Sequence, residues 1–269
     1  VYGQDDWEAS IPALEHFTQY SSSEFAVRPF ILKDPDRMLT VIQKWANHPN
    51  YHVRRLASEG CRPRLPWAMA LPIFKKDPKP LLPILELLKA DPEDYVRRSV
   101  ANNLNDISKD HPDLVLNVAG KWLGQKKETD WIVKHACRTL LKKGVPQAMR
   151  LFGFGDPQAV RIQDMRISPA TVSIGEKVTF SFTLLHTEGT PAKLRIEYAI
   201  DFVKANGSTS RKVFHITENQ YPTGEEIRFE KTHSFKERTT RKHYPGRHHF
   251  TILINGVEKQ SAFVDVIHP

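Results

Sequence analysis

One stretch of sequence occurs twice, and it constrains the fold more than anything else in the chain. His48-Pro49-Asn50-Tyr51-His52-Val53-Arg54-Arg55 is matched by Asp91-Pro92-Glu93-Asp94-Tyr95-Val96-Arg97-Arg98, with the two valines 43 residues apart. Thr129-Asp130-Trp131-Ile132-Val133-Lys134-His135 is a weaker third copy, its valine 37 residues beyond the second. Ahead of each copy runs an apolar pattern at spacings of three and four: Leu39, Ile42, Trp45; Leu82, Leu85, Leu88; Leu114, Val118, Trp122. That spacing collects apolar side chains on one face of a helix. Each unit reads as helix, short turn, helix, with the repeated motif opening the second helix.

A period near 40 with this pattern is the signature of a HEAT/armadillo-type unit. One helix pair cannot bury both its faces, so successive pairs stack into a curved solenoid whose second helices line the concave side. Val53, Leu56, Ala57 and Gly60 form an inward stripe in the first copy, as do Val96, Val100 and Leu104 in the second. Arg98, Asn102 and Asp106 are spaced by four and are expected as one polar row; Lys134 and Arg138 repeat the spacing in the third copy. Arg54, Arg55, Arg97, Arg98, Lys134 and Arg138 then make a stripe of positive charge. Two readings stay open for it: internal salt bridges between repeats, or a channel that grips a phosphate backbone.

Beyond residue 157 the period changes to two. Val178, Phe180 and Phe182 alternate with polar residues, as do Leu194, Ile196, Tyr198 and Phe250, Ile252, Ile254. Turn signals at Asn206-Gly207-Ser208 and Asn255-Gly256 separate the runs, which predicts a β-sandwich. The switch falls near Gly153-Phe154-Gly155-Asp156-Pro157, read as a linker. The expected architecture is multidomain, α then β: a HEAT-like α-helical solenoid over 1–152 and a β-sandwich over 157–269.

Composition excludes several classes. With 40% hydrophobic and 26% charged residues, the 269-residue chain is neither disordered nor collagen-like, and its apolar runs are too short to span a bilayer. The net charge of +8 is too modest to prove nucleic-acid binding. Two cysteines, Cys61 and Cys137, cannot build a disulfide framework or a four-thiolate zinc site; they suit buried thiols in a reducing cytoplasm. Gly-rich phosphate loops, zinc-protease motifs and nucleophile elbows are absent from the sequence. His243, His248 and His249 are read as surface basicity beside Arg241-Lys242. The chain starts at Val1 and not at Met, so an N-terminal part is expected to be missing.

Acids inside a basic channel are unfavourable, which singles out Glu24, Glu59 and Asp106. Each also has a bland explanation. Glu24 follows Ser21-Ser22-Ser23 and fits the first turn of a serine-capped helix; Glu59 fits a pair with Arg55; Asp106 fits a helix end bonded to a neighbouring lysine. Trp7, Trp67 and Trp131 add aromatic surface. Trp67 follows Arg62-Pro63-Arg64-Leu65-Pro66, a basic, Pro-broken segment from which an indole can touch a sugar or base, or plug a core.

Taken together, Ser22-Ser23-Glu24-Phe25-Ala26-Val27-Arg28-Pro29-Phe30, the segment from His48-Pro49 through Arg54-Arg55 to Glu59-Gly60, Arg62 to Trp67, and Val96-Arg97-Arg98 through Asn102 to Asp106 resemble the AlkC/AlkD-type alkylpurine DNA glycosylases, closest to the AlkC branch. Some AlkC members carry an immunoglobulin-like domain after the helical one, which implies an immunoglobulin-like β-sandwich for residues 157–269, and family members usually have further helices ahead of this point. The resemblance implies a bacterial repair enzyme that excises cationic N-alkylated bases such as 3-methyladenine and 3-methylcytosine from double-stranded DNA, without flipping the base. It implies Glu24, Glu59 and Asp106 as catalytic-site carboxylates, Trp67 as an aromatic contact at the lesion sugar, and Arg55 as a backbone clamp. Arg54, Arg62, Arg97, Arg98, Asn102, Lys134 and Arg138 are the further DNA-binding candidates. AlkD-type members have a second Trp where Asn102 aligns here, which leaves the packing of the sugar open. A cationic base needs no acid to leave; a carboxylate beside the developing oxocarbenium ion stabilises it and orients water. The expectation is a cytoplasmic, monofunctional, monomeric enzyme with no metal, no cofactor, no membrane association and no obligate protein partner.

In the second half, Arg211, Lys212, Lys236, Arg238, Arg241, Lys242 and Arg247 have two readings: an extension of the DNA grip, or a solubilising surface with loop charges. Two rival readings remain at this point: a non-catalytic HEAT-repeat binder of DNA structure, and a protein-binding adaptor.

Overall fold

The computed structural model describes residues 3–237, 239 and 242–269, and the chain divides into two compact units, Val1–Leu140 and Leu141–Pro269.

The first unit is helical: α1 (Trp7–Phe17), α2 (Arg28–Lys33), α3 (Pro35–Trp45), α4 (Tyr51–Glu59), α5 (Pro72–Lys76), α6 (Leu82–Leu88), α7 (Asp94–Ile107), α8 (Pro112–Trp122), α9 (Lys127–Ala136), with α10 (Arg138–Lys142) crossing into the second unit. The three repeats are α3–α4, α6–α7 and α8–α9, and their second helices pack in succession, α4 on α7 and α7 on α9. Val53, Leu56, Ala57, Val96, Val100, Leu104, Ile132 and Val133 are all buried along this seam. Helix starts follow local chemistry. Asp34 caps α3 ahead of Pro35, and Asn50 caps α4 by accepting from the His52 N–H.

The motif repeats in its contacts as well as its letters. Arg54 donates to the carbonyls of His48 and Pro49, and Arg97 to those of Asp91 and Pro92. In both copies the first arginine closes the turn that precedes its own helix. Arg54 also grips Asp91 with two bonds, at 2.6 and 3.0 Å, tying the first repeat to the second.

Two expectations for this unit fail for geometric reasons. The row Arg98, Asn102, Asp106 splits, because eight residues drift by about 80° around a helix whereas seven return within about 20°. Asp106 therefore shares its buried face with Ser99, while Arg98 faces solvent. Lys134 and Arg138 do not lie on one helix, since α9 ends at Ala136 and Arg138 opens α10. Trp7 is not surface aromatic: it is buried against Phe30, with the Arg37 guanidinium over its ring.

The second unit begins with α11 (Pro146–Leu151) and then forms β1 (Val160–Ser168), β2 (Thr171–Ser173), β3 (Lys177–His186), β4 (Ala192–Val203), β5 (Thr209–Tyr221), β6 (Glu226–Ser234), β7 (Gly246–Ile254) and β8 (Val257–Ile267). One sheet has the order β1-β3-β6, the other β2-β8-β7-β4-β5, and all pairings are antiparallel except β2 with β8. The alternating residues Val178, Phe180, Phe182, Leu184 from one sheet and Leu194, Ile196, Phe250, Ile252 from the other meet in the core. Asn255 and Gly256 both have positive φ, 50° and 79°, and make the two-residue β7–β8 turn that the Asn-Gly pair requires.

The segment 153–157 is packed, not an open linker. Phe154 is buried, and Gly155 accepts from the Asn255 side chain at 2.7 Å. His243 and His248 are also buried, not surface basicity. They sit with His233 around Phe202 and Phe235, and only His249 faces out. Within β7 the letters mislead because successive residues alternate sides, so His248 turns in and His249 out, while His243 lies ahead of the strand. Arg211 pairs with Glu258 and Arg247 with Asp265, whereas Arg238 and Arg241 lie outside the described residues. Among the described residues no helix is long and apolar enough to cross a membrane.

Candidate active site

The three carboxylates singled out in the sequence come together on one continuous chain of charges. On α4, Arg55 and Glu59 are one turn apart, 3.4 Å between Nη2 and Oε1. Arg55 also reaches back to the loop ahead of α2, where it contacts the Glu24 carboxylate and donates to Ser22 Oγ at 2.7 Å. Arg62, just past the end of α4, donates from Nη1 to Glu59 Oε1 at 2.6 Å and from Nε to Asp106 Oδ2 at 2.9 Å. Lys109 completes the chain on Asp106 Oδ1 at 2.9 Å. The order is Glu24, Arg55, Glu59, Arg62, Asp106, Lys109, acid and base alternating across two repeats.

Burial differs along this chain and decides what each acid can do. The side chains of Glu59 and Asp106 are 7% and 3% exposed, against 18% for Glu24. Ser99 donates to Glu59 Oε2 at 2.6 Å, so both oxygens of Glu59 are engaged, as are both of Asp106. Glu24 uses Oε2 for Ser22 and Arg55, and among the described residues nothing bonds its Oε1. Glu24 does not sit in a first helical turn, as the serines suggested; it lies in the turn ahead of α2, which has no side-chain cap. Burial would lower the Arg62 guanidinium, but Glu59 and Asp106 more than offset it and hold Arg62 above its ordinary value. The Tyr95 ring lies 4.9 Å from the Arg55 guanidinium and covers its other face.

Five residues beyond Arg62 in the sequence, Trp67 is 98% exposed and has φ at +61°. A tryptophan in the left-handed region is strained, and a large apolar side chain held wholly in water has no folding role. Its loop is anchored from below. Arg28, fully buried, donates from Nε to the Met69 carbonyl at 2.7 Å and from Nη1 to those of Gly60 and Arg62, both at 2.9 Å. Burial pulls the Arg28 pKa down to about 10, which still leaves it charged at neutral pH. Arg64 fixes the outer side of the loop with two bonds to Asp110, at 3.0 and 2.6 Å.

The remaining candidates form a separate patch or turn inward. Arg98 is exposed and paired with Asp94. Arg138 donates to Asn102 Oδ1 at 3.0 Å and to the His135 carbonyl at 2.7 Å, and the exposed Trp131 stacks on His135 at 5.0 Å. Burial, with Arg138 and Arg98 nearby, holds His135 below its ordinary value. Lys134 is exposed on the same helix. Arg54 and Arg97 are spent on their turns, so the structure does not bring them to the carboxylates. The thiols of Cys61 and Cys137 are buried and pushed up to about 12, too high for reactivity.

Residues 17–140 match the family described as DNA alkylation repair enzyme, and residues 161–268 match the C-terminal Ig-like domain of uncharacterised protein YhaZ. The uncharacterized protein YhaZ of Bacillus subtilis (strain 168) is 54% identical over 260 residues, 97% of this chain and 72% of that protein. The solved structure of Pseudomonas fluorescens alkylpurine DNA glycosylase AlkC, bound to DNA containing an abasic site analogue, is similar with a TM-score of 0.95. It is 44% identical and covers 99% of this chain and 74% of that one. The chain belongs to the AlkC-type alkylpurine DNA glycosylases. In this AlkC-type chain the sequence reading missed Arg28, Ser22, Ser99 and Tyr95, while the lysine it expected on Asp106 is Lys109. For Arg28 there was a signal: it is the one charge in the run Phe25-Ala26-Val27-Arg28-Pro29-Phe30-Ile31-Leu32. Ser22 stands two residues from Glu24, whereas Ser99 and Tyr95 are ordinary letters until α7 stacks on α4.

Proposed function

We propose that this chain hydrolyses the N-glycosidic bond of cationic N-alkylated bases in double-stranded DNA, with Glu24, Glu59 and Asp106 as its carboxylates and Trp67 against the lesion sugar. The observation that carries the reading is the exposed, strained Trp67 on the loop that starts from Arg62, the residue that bridges the buried Glu59 and Asp106, in a member of this family. An alkylated cationic base leaves without a proton donor. The cost of cleavage lies in the positive charge that builds on C1′ and the ring oxygen, and a carboxylate held nearby lowers it. Glu24, with an oxygen uncommitted and the most exposure of the three, is suited to face that charge or the attacking water. Lys109 is surface-accessible and belongs to a pair that a DNA phosphate can compete for; its departure would release Asp106 Oδ1. Arg98, Lys134 and the Trp131–His135 stack supply phosphate and groove contacts, with Arg138 and Asn102 holding that patch in place. The two buried free thiols suit a reducing cytoplasm.

The test is release of 3-methyladenine and 3-methylcytosine from methylated DNA by the parent and by Glu24→Gln, Glu59→Gln and Asp106→Asn. The expected result is release by the parent, slowed by about a hundredfold or more in at least one variant. No release by a folded parent that binds DNA moves the reading to a non-catalytic binder; no DNA binding moves it to a protein adaptor.

A further inference from the structure

Between α4 and α5 the chain leaves the solenoid, runs out to Trp67 and returns. Its two stems are Gly60 to Pro63 and Met69 to Leu71, closed by one backbone bond from the Leu71 N–H to the Pro63 carbonyl at 3.1 Å. Leu65 and Leu71 are buried and pin the backbone on either side of the tip. The Leu71–Pro63 bond joins the stems at a single point. Arg28 adds a three-bond bridge: its fork bonds Gly60 and Arg62 on the outgoing stem and Met69 on the returning one. A planar guanidinium donates in fixed directions, which a lysine ammonium cannot reproduce. The Arg62 whose carbonyl Arg28 holds is also the residue whose side chain bridges Glu59 and Asp106. The base of the Trp67 loop and the middle of the carboxylate chain therefore share one residue, and Arg28 grips it from beneath. Burying a guanidinium this completely is costly, and Arg28 Nη2 has no hydrogen-bond partner among the described residues.

We propose that Arg28 is a positioning residue for base excision: its buried guanidinium sets the placement of the Trp67 indole relative to the carboxylates, and acts on the reaction only through that loop. The inference rests on the function proposed above. A displacement of the order of 1 Å in a group that orients the substrate costs up to about a hundredfold in rate.

The experiment is a double-mutant cycle in the whole chain. Arg28→Lys, Trp67→Ala and the combined variant are compared with the parent for single-turnover excision, affinity for undamaged duplex, and trypsin cleavage after Arg64. The expected results for Arg28→Lys are excision slowed by about tenfold to a hundredfold, duplex affinity changed by less than about threefold, and faster cleavage at Arg64. In the Trp67→Ala background Arg28→Lys should slow excision by less than about twofold further, since the loop then carries nothing to misplace. Full multiplication of the two losses, or unchanged excision by Arg28→Lys, overturns the proposal. If Arg28→Lys does not fold, Arg28→Gln, which can still donate to one stem, replaces it; if neither folds, Arg28 is a folding residue and the proposal is lost. A parent that excises nothing refutes the glycosylase reading instead, and a parent that excises while Trp67→Ala matches it refutes the role of Trp67, so each failure is distinguishable from that of Arg28.

Discussion

Arg62→Met is the substitution whose outcome the structure specifies most sharply. The side chain is 9% exposed and bridges two acids of 7% and 3% exposure, at 2.6 and 2.9 Å. Methionine fills much of the volume but returns no charge, which leaves Glu59 and Asp106 facing one another. Removing one partner of a buried ion pair costs about 3–5 kcal/mol. Arg55 and Ser99 still hold Glu59, and Lys109 still holds Asp106, so the loss belongs at the lower end, about 3 kcal/mol. Urea denaturation followed by far-UV circular dichroism reads it, because the affected unit carries most of the helix. The cause is isolated by adding Glu59→Gln and Asp106→Asn to Arg62→Met, which should recover at least about half of the loss by removing the stranded charges. A loss below about 1 kcal/mol, or a triple variant no more stable than Arg62→Met alone, would refute the account of the chain as a mutually neutralised unit.

Three further outcomes follow. Trp67→Gly should leave the thermal midpoint unchanged or raise stability by up to about 1 kcal/mol, because glycine accepts the positive φ that strains tryptophan, while single-turnover excision falls; a marked loss of stability would show that the indole packs in the fold. Burial holds the His248 imidazole below its ordinary value of 6.5. It therefore stays neutral in the fold while the unfolded chain takes up a proton. Its stabilising effect is complete above that ordinary value and fades as pH falls through it, by at most about 1.4 kcal/mol per pH unit. Thermal scans between neutral and mildly acid pH should show the decline, and His248→Leu should flatten it; an equally steep decline in that variant would assign the effect elsewhere. Removal of residues 157–269 should weaken binding to duplex DNA or slow excision, measured by titration and by single turnover; unchanged values would confine DNA contact to the helical unit.

The repeat, the change of period and the Asn-Gly turn were legible because each is a local rule: side-chain spacing for the first two, backbone φ for the third. The acids were legible as residue types out of place in a basic stripe, and they do converge. Two of their partners were legible as well, since Arg55 for Glu59 and a lysine for Asp106 follow from helix spacing. Ser99 and Arg28 were not: Ser99 meets Glu59 only after α7 stacks on α4, Arg28 meets Gly60 and Arg62 only once α2 packs near the end of α4, and no spacing along the chain encodes contacts between distant segments. Doubled letters also hid a division of roles. Arg54 and Arg97 close turns, Arg55 joins the acids and Arg98 faces water, although the four read as two identical pairs. The buried His248 was misread for a similar reason, because a basic cluster in the letters is split by the two faces of a strand; His243, ahead of that strand, is buried against Phe202 and Phe235.

The alternation of charge along the site has a consequence for how the protein travels. Glu24, Glu59 and Asp106 are matched by Arg55, Arg62 and Lys109, so at a distance the acids cancel against their partners. Beyond a Debye length, about 8 Å at physiological salt, an approaching duplex meets only the surplus positive surface. So balanced, the proposed carboxylate site neither repels DNA during a search nor traps the protein on undamaged sequence. Its negative charge acts only at contact range, where a cationic lesion differs most from an intact base.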